Sequence, residues 1–129
     1  MRVLPDTSIW VGYLRAGGSG GEGLDELLMS GRVVVCGPVV AELLAGTASG
    51  RRAELWGLLS GLPWAPLGPE EWRRVGEIAA ALRDRGASVP LTDIEIGVAA
   101  AGAGALLWSR DSDFARIGSV LPELERFSP

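Results

Sequence analysis

Five of the 16 acidic residues stand where a carboxylate could do chemistry. Asp6 follows a short apolar run near the start of the chain, and Asp111 and Asp113 follow another near its end. Asp93 lies at the expected start of a helix, and Glu42 lies about one turn into a helix among apolar neighbours. Most other acids stand where solvated charge or helix caps are expected. We therefore take these five as candidate functional carboxylates.

The residue types missing from the sequence narrow this chemistry. There is no His, Lys, Asn or Gln, and all 12 basic residues are arginine. The absence of His excludes a Ser-His-Asp or Cys-His nucleophile and a His-ligated zinc or haem. The absence of Lys excludes a Schiff base and a Walker-type phosphate loop. The single cysteine, Cys36, ends an apolar run and is predicted to be a core thiol.

The elements that must position the carboxylates alternate between short apolar runs and helical patterns. This alternation predicts one α/β domain over residues 1–129, with a mostly parallel central sheet of four to five strands and helices on both faces. Strands are predicted at residues 2–4, 32–36, 64–67, 105–108 and, weakly, 121–127. Helices are predicted at residues 7–14, 24–28, 37–44, 51–60, 69–85, 93–101 and 111–117, with Thr92 as the cap of the sixth.

In such a sheet the carboxyl ends of the strands share one edge, where ligand sites form. The strand-to-helix junctions therefore bring the candidate carboxylates together, where their mutual repulsion raises their pKa values unless cations bind. A set of oxygen ligands without imidazole or thiolate selects Mg²⁺ or Mn²⁺. Two such ions about 4 Å apart support in-line cleavage of a phosphodiester.

The net charge of −4 makes the chain a poor non-specific binder of polyanions, so contact with nucleic acid requires local arginine or metal ions. Arg15, after the first helix, and Arg110, beside Asp111, are the predicted contacts to RNA phosphate. The longest apolar stretch, residues 96–108, is too short to cross a membrane, and Pro5 and Asp6 interrupt any signal peptide. We expect a cytoplasmic protein.

Four segments, taken together, resemble the PIN-domain family, and within it the VapC-like toxins. They are Leu-Pro-Asp-Thr-Ser-Ile-Trp at residues 4–10, Val-Val-Ala-Glu-Leu-Leu-Ala-Gly at 39–46, Pro-Leu-Thr-Asp at 90–93 and Ser-Arg-Asp-Ser-Asp-Phe at 109–114. The resemblance covers essentially the whole chain, in order. It implies a metal-dependent endoribonuclease that belongs to a toxin–antitoxin pair.

The resemblance also assigns roles to the candidate carboxylates. Asp6, Glu42, Asp93 and Asp111 match the catalytic, metal-site positions of the family, with Asp113 as a further candidate for the metal site. Supporting roles fall to the neighbouring hydroxyls of Thr7, Ser8, Thr92 and Ser109.

Four residues near the candidate carboxylates carry more specific expectations. Thr7 and Ser8 are expected to hydrogen-bond the carboxylate of Asp6 or to cap its helix. Ser109 stands where the family more often has Thr, and it preserves the hydroxyl. Glu95 adds an acid two residues after Asp93, a spacing that points to another face of the helix. We therefore expect Glu95 behind the ligands or at the surface.

The family resemblance further implies partners: RNA as substrate, a cognate antitoxin, and a second copy of the chain in a homodimer. The early helices would form a groove for an amphipathic antitoxin segment, with Trp10 or Trp56 as lining residues. The long helix that carries Trp72 would serve the homodimer.

Two other functions are compatible with parts of the sequence. A catalytically inactive PIN-like module that binds RNA or a protein would keep the fold, but such a module has no need to retain all the clustered acids. A phosphatase of the haloacid-dehalogenase type requires a second Asp two positions after its nucleophile, and the residue two positions after Asp6 is Ser8.

Overall fold

A parallel sheet of five segments forms the centre of the protein. In the computed structural model, which describes residues 1–18 and 23–129, β1 (Val3–Pro5) pairs in parallel with β2 (Leu106–Trp108). Three more segments join through single parallel bridges: Val33 to Val3, Trp64 to Val35 and Arg126 to Leu107. Numbered along the chain, the five segments therefore lie in the order 3-2-1-4-5.

The α/β fold is as predicted, but the number of strands differs. Within the described residues only the first and fourth segments are continuous strands, and those at residues 32–36, 64–67 and 121–127 make isolated bridges. Prolines limit the pairing at Trp64: Pro63 and Pro66 flank this bridge and cannot donate to a ladder of hydrogen bonds. Near residue 126 the pairing is limited to bonds from Leu107 N–H to Glu125 O (2.9 Å) and from Phe127 N–H to Leu107 O (2.8 Å).

This segment order fixes where a ligand would bind. The order reverses between β1 and β2, since the second and third segments extend from one side and the fifth from the other. At such a switch point the chain leaves the two central strands in opposite directions and opens a crevice at their carboxyl ends. Asp6 directly follows β1, and Ser109 directly follows β2.

Seven helices in the described residues surround the sheet. They are α1 (Thr7–Arg15), α2 (Leu24–Met29), α3 (Gly37–Ala45), α4 (Ser49–Ser60), α5 (Pro69–Asp84), α6 (Leu91–Gly102) and α7 (Asp113–Gly118). The predicted cap of α6 is wrong, because this helix begins at Leu91 with Pro90 as its N-cap and Thr92 lies inside the first turn. Similarly, α7 begins at Asp113, two residues later than predicted.

Helix α6 is the centre of one packed group of helices. It contacts α5, α7 and β2, whereas α1 and α4 both contact α3. The middle of α6 is buried on nearly all sides and is built from small residues, including Gly97, Ala99 and Ala100. A Cβ atom at Gly97 would lie 3.3 Å from Cγ2 of Ile117, so α7 packs directly against α6 at this glycine. This close packing fixes the position of α7, whose first residue is Asp113.

Three further expectations concern the rest of the chain. Cys36 is buried in the core as predicted, and burial raises the pKa of its thiol to about 12. The run of glycines that begins at residue 17 is expected to form a loop; Gly17, Gly18 and Gly23 have positive φ, and residues 19–22 lie outside the described residues. Among the described helices none combines the length and apolar character that crossing a membrane requires.

Candidate active site

Asp6 is held at the switch point by hydrogen bonds with the end of β2 and with the first turn of α1. Its backbone N–H donates to Trp108 O (2.9 Å), which ties the end of β1 to the end of β2. Its Oδ1 accepts the N–H of Ile9 (3.1 Å) and the hydroxyl of Ser8 (2.8 Å), so Asp6 is the N-cap of α1. Its Oδ2 accepts the hydroxyl of Ser109. The residue is only 5% exposed, and these bonds leave its carboxylate little freedom.

Glu42 reaches the same edge from α3. Its Oε1 accepts a 2.6 Å hydrogen bond from the hydroxyl of Thr7, the first residue of α1. Thr7 was expected to bond Asp6 or cap its helix, and the structure corrects this: Ser8 bonds Asp6, while Thr7 holds Glu42. The two adjacent hydroxyls therefore position two different carboxylates.

Asp93, Asp111 and Asp113 form the second part of the cluster, in which Asp111 is exposed and the other two are partly buried. Each offers one carboxylate oxygen such that the three oxygens lie within 4.8 Å of one another. The segment after β2 is a hydrogen-bonded turn: Asp111 N–H donates to the hydroxyl of Ser109 (3.0 Å), and Asp113 N–H donates to Oδ1 of Asp111 (2.9 Å). Ser109 therefore links this turn to Asp6.

The electrostatics show that the other four carboxylates all act on Asp93. The pKa of Asp93 is raised to about 6, first by burial and then by the negative charges of Asp111, Asp113, Glu42 and Asp6. Repulsion of this kind is relieved by a bound cation. The donor set fits a hard cation such as Mg²⁺ or Mn²⁺, because it consists of carboxylate oxygens without imidazole or thiolate.

Glu95 extends the acidic edge beyond the predicted set. It is partly buried, and its pKa is raised by burial and by the charge of Glu42. Glu95 is not part of the group formed by Asp93, Asp111 and Asp113, and its proximity to Glu42 was not predicted. That proximity depends on the packing of α6 against α3, which no local sequence pattern shows.

The structure separates the two arginines that were predicted to contact RNA. Arg110 is exposed between Ser109 and Asp111, at the site. Arg15 is the last residue of α1, whereas Asp6 caps its first turn, so the two are separated by the length of the helix, about 13 Å. The structure therefore does not bring Arg15 to the carboxylate cluster.

Two arginines that were not among the predicted RNA contacts lie at the site. Nη1 of Arg116 donates to Oδ1 of Asp113 at 2.7 Å. Nη2 of Arg126 donates to Ser109 O at 3.0 Å, and its guanidinium lies 5.8 Å from the ring centroid of Phe114. The i,i+3 spacing within α7 was a readable signal for Arg116. No such signal existed for Arg126, which lies 17 residues from its partner.

The tryptophans expected to line a groove differ in exposure. Trp10 is fully buried, so its assignment to a groove is wrong. Trp56 is 47% exposed and packs edge-to-face against Trp64, with ring centroids 6.1 Å apart. Trp72 on α5 is 48% exposed. Surfaces for a partner therefore remain available on α4 and α5.

Comparison with known proteins agrees with this arrangement. The family model described as PIN domain matches residues 3–120. Ribonuclease VapC11 of Mycobacterium tuberculosis and VapC ribonuclease Mb1587 of Mycobacterium bovis are each 32% identical to the chain over 124 residues, covering 92% of both sequences.

Solved structures show the same fold. VapBC2 from Rickettsia felis, bound to a DNA fragment from its promoter, contains a chain with a TM-score of 0.77 and 21% identity that covers 98% of both chains. DNA-bound VapBC from Salmonella typhimurium gives a TM-score of 0.79 at 19% identity, covering 98% of this chain and 97% of the other. On the family match and the VapC relatives, the chain belongs to the PIN domain family and is a relative of the VapC proteins.

Proposed function

We propose that the protein is a divalent-metal-dependent endoribonuclease that cleaves RNA phosphodiester bonds and acts as the toxin of a toxin–antitoxin pair. The observation that carries the proposal is the grouping of carboxylates at the switch point: oxygens of Asp93, Asp111 and Asp113 lie within 4.8 Å of one another. Asp6 and Glu42 are near enough for their charges to help raise the pKa of Asp93. The VapC relatives are named ribonucleases, which supports the same reaction for this chain.

The carboxylates divide into ligands and a supporting group. Asp6, Asp93, Asp111 and Asp113 would hold two Mg²⁺ or Mn²⁺ ions, which would supply positive charge to both sides of an in-line displacement at phosphorus. Glu42 lies at the rim with one oxygen fixed by Thr7, so its other oxygen is available to orient the attacking water. No imidazole exists to take this role.

The direct test is cleavage of a folded RNA by the purified chain in Mg²⁺, in Mn²⁺ and in EDTA. We expect cleavage only with metal, and a loss of about a hundredfold or more in Asp93→Asn, since even the groups that support metal ligands cost ten- to hundredfold when removed. Glu77→Gln is the matched control, because Glu77 is an exposed acid in a solvent-exposed ion pair with Arg73.

Two results would contradict this function. Equal cleavage in EDTA would exclude a metal-dependent reaction. RNA binding by the wild type without any cleavage would favour the inactive PIN-like binding module instead.

The proposal includes two protein partners. One solved relative is described as a member of the VapBC family of toxin-antitoxin systems, from Mycobacterium tuberculosis. We assign the antitoxin of this chain to the surface around Trp56 and the homodimer to the surface of α5 around Trp72. Sedimentation of wild type and Trp72→Ala tests the homodimer: a wild-type monomer, or an unchanged variant dimer, would contradict its placement.

A further inference from the structure

Arg116 is a cation bonded directly to the acidic cluster. It lies one turn after Asp113 in α7, and its guanidinium forms a 2.7 Å ion pair with Oδ1 of that carboxylate. Asp113 is largely enclosed, with 21% of its side chain exposed, whereas the Arg116 side chain is 53% exposed. The pair therefore runs from the cluster out to the solvent that an RNA strand would occupy.

The backbone around Arg116 is firmly placed. Its carbonyl accepts the hydroxyl of Ser119 (2.6 Å), which in turn accepts Nη1 of Arg85 (3.3 Å). The next residue, Ile117, is fully buried against Gly97 of α6. Arg116 therefore projects from a fixed point, and only its side chain is free to adapt.

The charges at the site would favour an anion beside Arg116. Two divalent ions bound to Asp113 and its neighbours would repel the guanidinium that Asp113 holds, unless an anion lay between them. The phosphate of an RNA strand is such an anion. A guanidinium has five N–H donors in a planar fork, so one bond to Asp113 leaves donors for a phosphate oxygen.

We propose that Arg116 is a substrate-binding residue that contacts a non-bridging phosphate oxygen of the RNA backbone beside Asp113. This inference rests on the proposed ribonuclease function and deepens it, because it names the cation that receives the substrate. This role differs from that of a residue that only orients Asp113 toward metal. Loss of such an orienting residue would weaken metal binding and leave RNA binding unchanged.

The experiment compares Arg116→Gln with Arg2→Gln in two binding assays. Arg2 is the matched control, because it is an exposed arginine at the amino end of β1, the edge opposite Asp6. The first assay is fluorescence anisotropy of a short labelled single-stranded RNA in Ca²⁺, with a denaturing gel to check that the RNA stays intact. The second is the dependence of the melting temperature on Mn²⁺ concentration without RNA.

We expect Arg116→Gln to bind the RNA about ten- to hundredfold more weakly, as befits a lost hydrogen bond between charged groups. The slope of log affinity against log salt should become shallower by about 0.7, the value for one phosphate contact on a single strand. Mn²⁺ should stabilise the variant at the same or lower concentrations than wild type. Arg2→Gln should match wild type in both assays.

If wild type binds and cleaves RNA, and Arg116→Gln has the same RNA affinity and salt slope as wild type, the inference is overturned and the proposed function is not. Weaker Mn²⁺ binding with unchanged RNA affinity would also overturn the inference and assign Arg116 to the orientation of Asp113. A wild type that neither binds nor cleaves RNA would overturn the proposed function together with this inference. Arg116→Lys should recover part of the RNA affinity, because Lys keeps the charge without the fork.

Discussion

The two strand ends that meet at the switch point are built differently. At the end of β1, Asp6 is buried and its carboxylate accepts hydrogen bonds from Ile9, Ser8 and Ser109. At the end of β2, Asp111 is exposed on a turn, and Asp113 is held by an ion pair with Arg116. One half of the site is fixed by burial and capping, and the other half is held by a hydrogen-bonded turn and an ion pair that lie nearer the solvent.

Because of this difference, the two halves should contribute differently to the stability of the fold and to the binding of ligands. The buried half serves the fold as well as the site, because its carboxylate also caps α1. The exposed half lowers the stability of the metal-free fold. Together with burial, the negative charges of Asp111 and Asp113 raise the pKa of Asp93, so the ionised form of Asp93 is unfavourable in the fold. Substitutions in the two halves should therefore have opposite effects on the metal-free protein and the same effect on activity.

Ser109 joins the two halves, so its removal should have the largest effect among the supporting hydroxyls. Its hydroxyl donates to Asp6 and accepts the N–H of Asp111. We expect Ser109→Ala to lower the cleavage rate about ten- to hundredfold, the usual cost of losing a group that orients a ligand. Ser109→Thr should retain most activity because it keeps the hydroxyl. Single-turnover cleavage in Mn²⁺ measures both variants, and equal loss in the two would mean that the hydroxyl is not the link.

The stability of the two halves is compared by urea unfolding in EDTA at neutral pH. Asp6→Ala should lower the free energy of unfolding by about 1–3 kcal/mol, because the helix cap is lost and bonded hydroxyls lose their acceptor. Asp111→Ala should change it by less than about 0.5 kcal/mol or raise it, because an exposed, repelled charge is removed. A larger loss in Asp111→Ala than in Asp6→Ala would invert the comparison.

The smallest expected effect concerns pH. The pKa of Asp93 is about 6 in the fold, above its ordinary value of 3.8, so the folded state binds the proton more tightly. Its contribution to stability is therefore fully present below the unfolded pKa and is lost as pH rises through the folded pKa. In EDTA the melting temperature of wild type should fall between about pH 4 and about pH 6 relative to Asp93→Asn. Parallel curves for the two proteins would show that Asp93 is not repelled in the fold.

Much of this arrangement could be predicted because it depends on local order. The positions of Asp6, Asp111 and Asp113 after strands follow from apolar runs, and the parallel topology carries them to one edge. Contacts between distant segments could not be predicted in this way. The bond from Thr7 to Glu42 joins residues 35 positions apart, and that from Arg126 to Ser109 joins residues 17 apart. Each depends on how α3 or the last sheet segment docks, which short-range patterns do not encode.

The exposure of the tryptophans shows the same limit. Trp10 and Trp56 both lie on helices with mixed patterns, yet one is fully buried and the other is 47% exposed. The helical repeat identifies an apolar face but not whether another element covers it. The start of α6 was misplaced for a related reason, since Thr92 is a good cap by type but Pro90 takes that position.

Binding of divalent cations by the clustered carboxylates is tested by thermal unfolding with increasing Mn²⁺ in wild type and in Asp93→Asn. We expect Mn²⁺ to raise the melting temperature of wild type, by an amount equivalent to about 2.7 kcal/mol at a hundredfold excess over Kd. Asp93→Asn should start from a higher melting temperature in EDTA at neutral pH and gain much less from the metal. An unchanged wild-type melting temperature at saturating Mn²⁺, or an equal gain in the variant, would contradict this expectation.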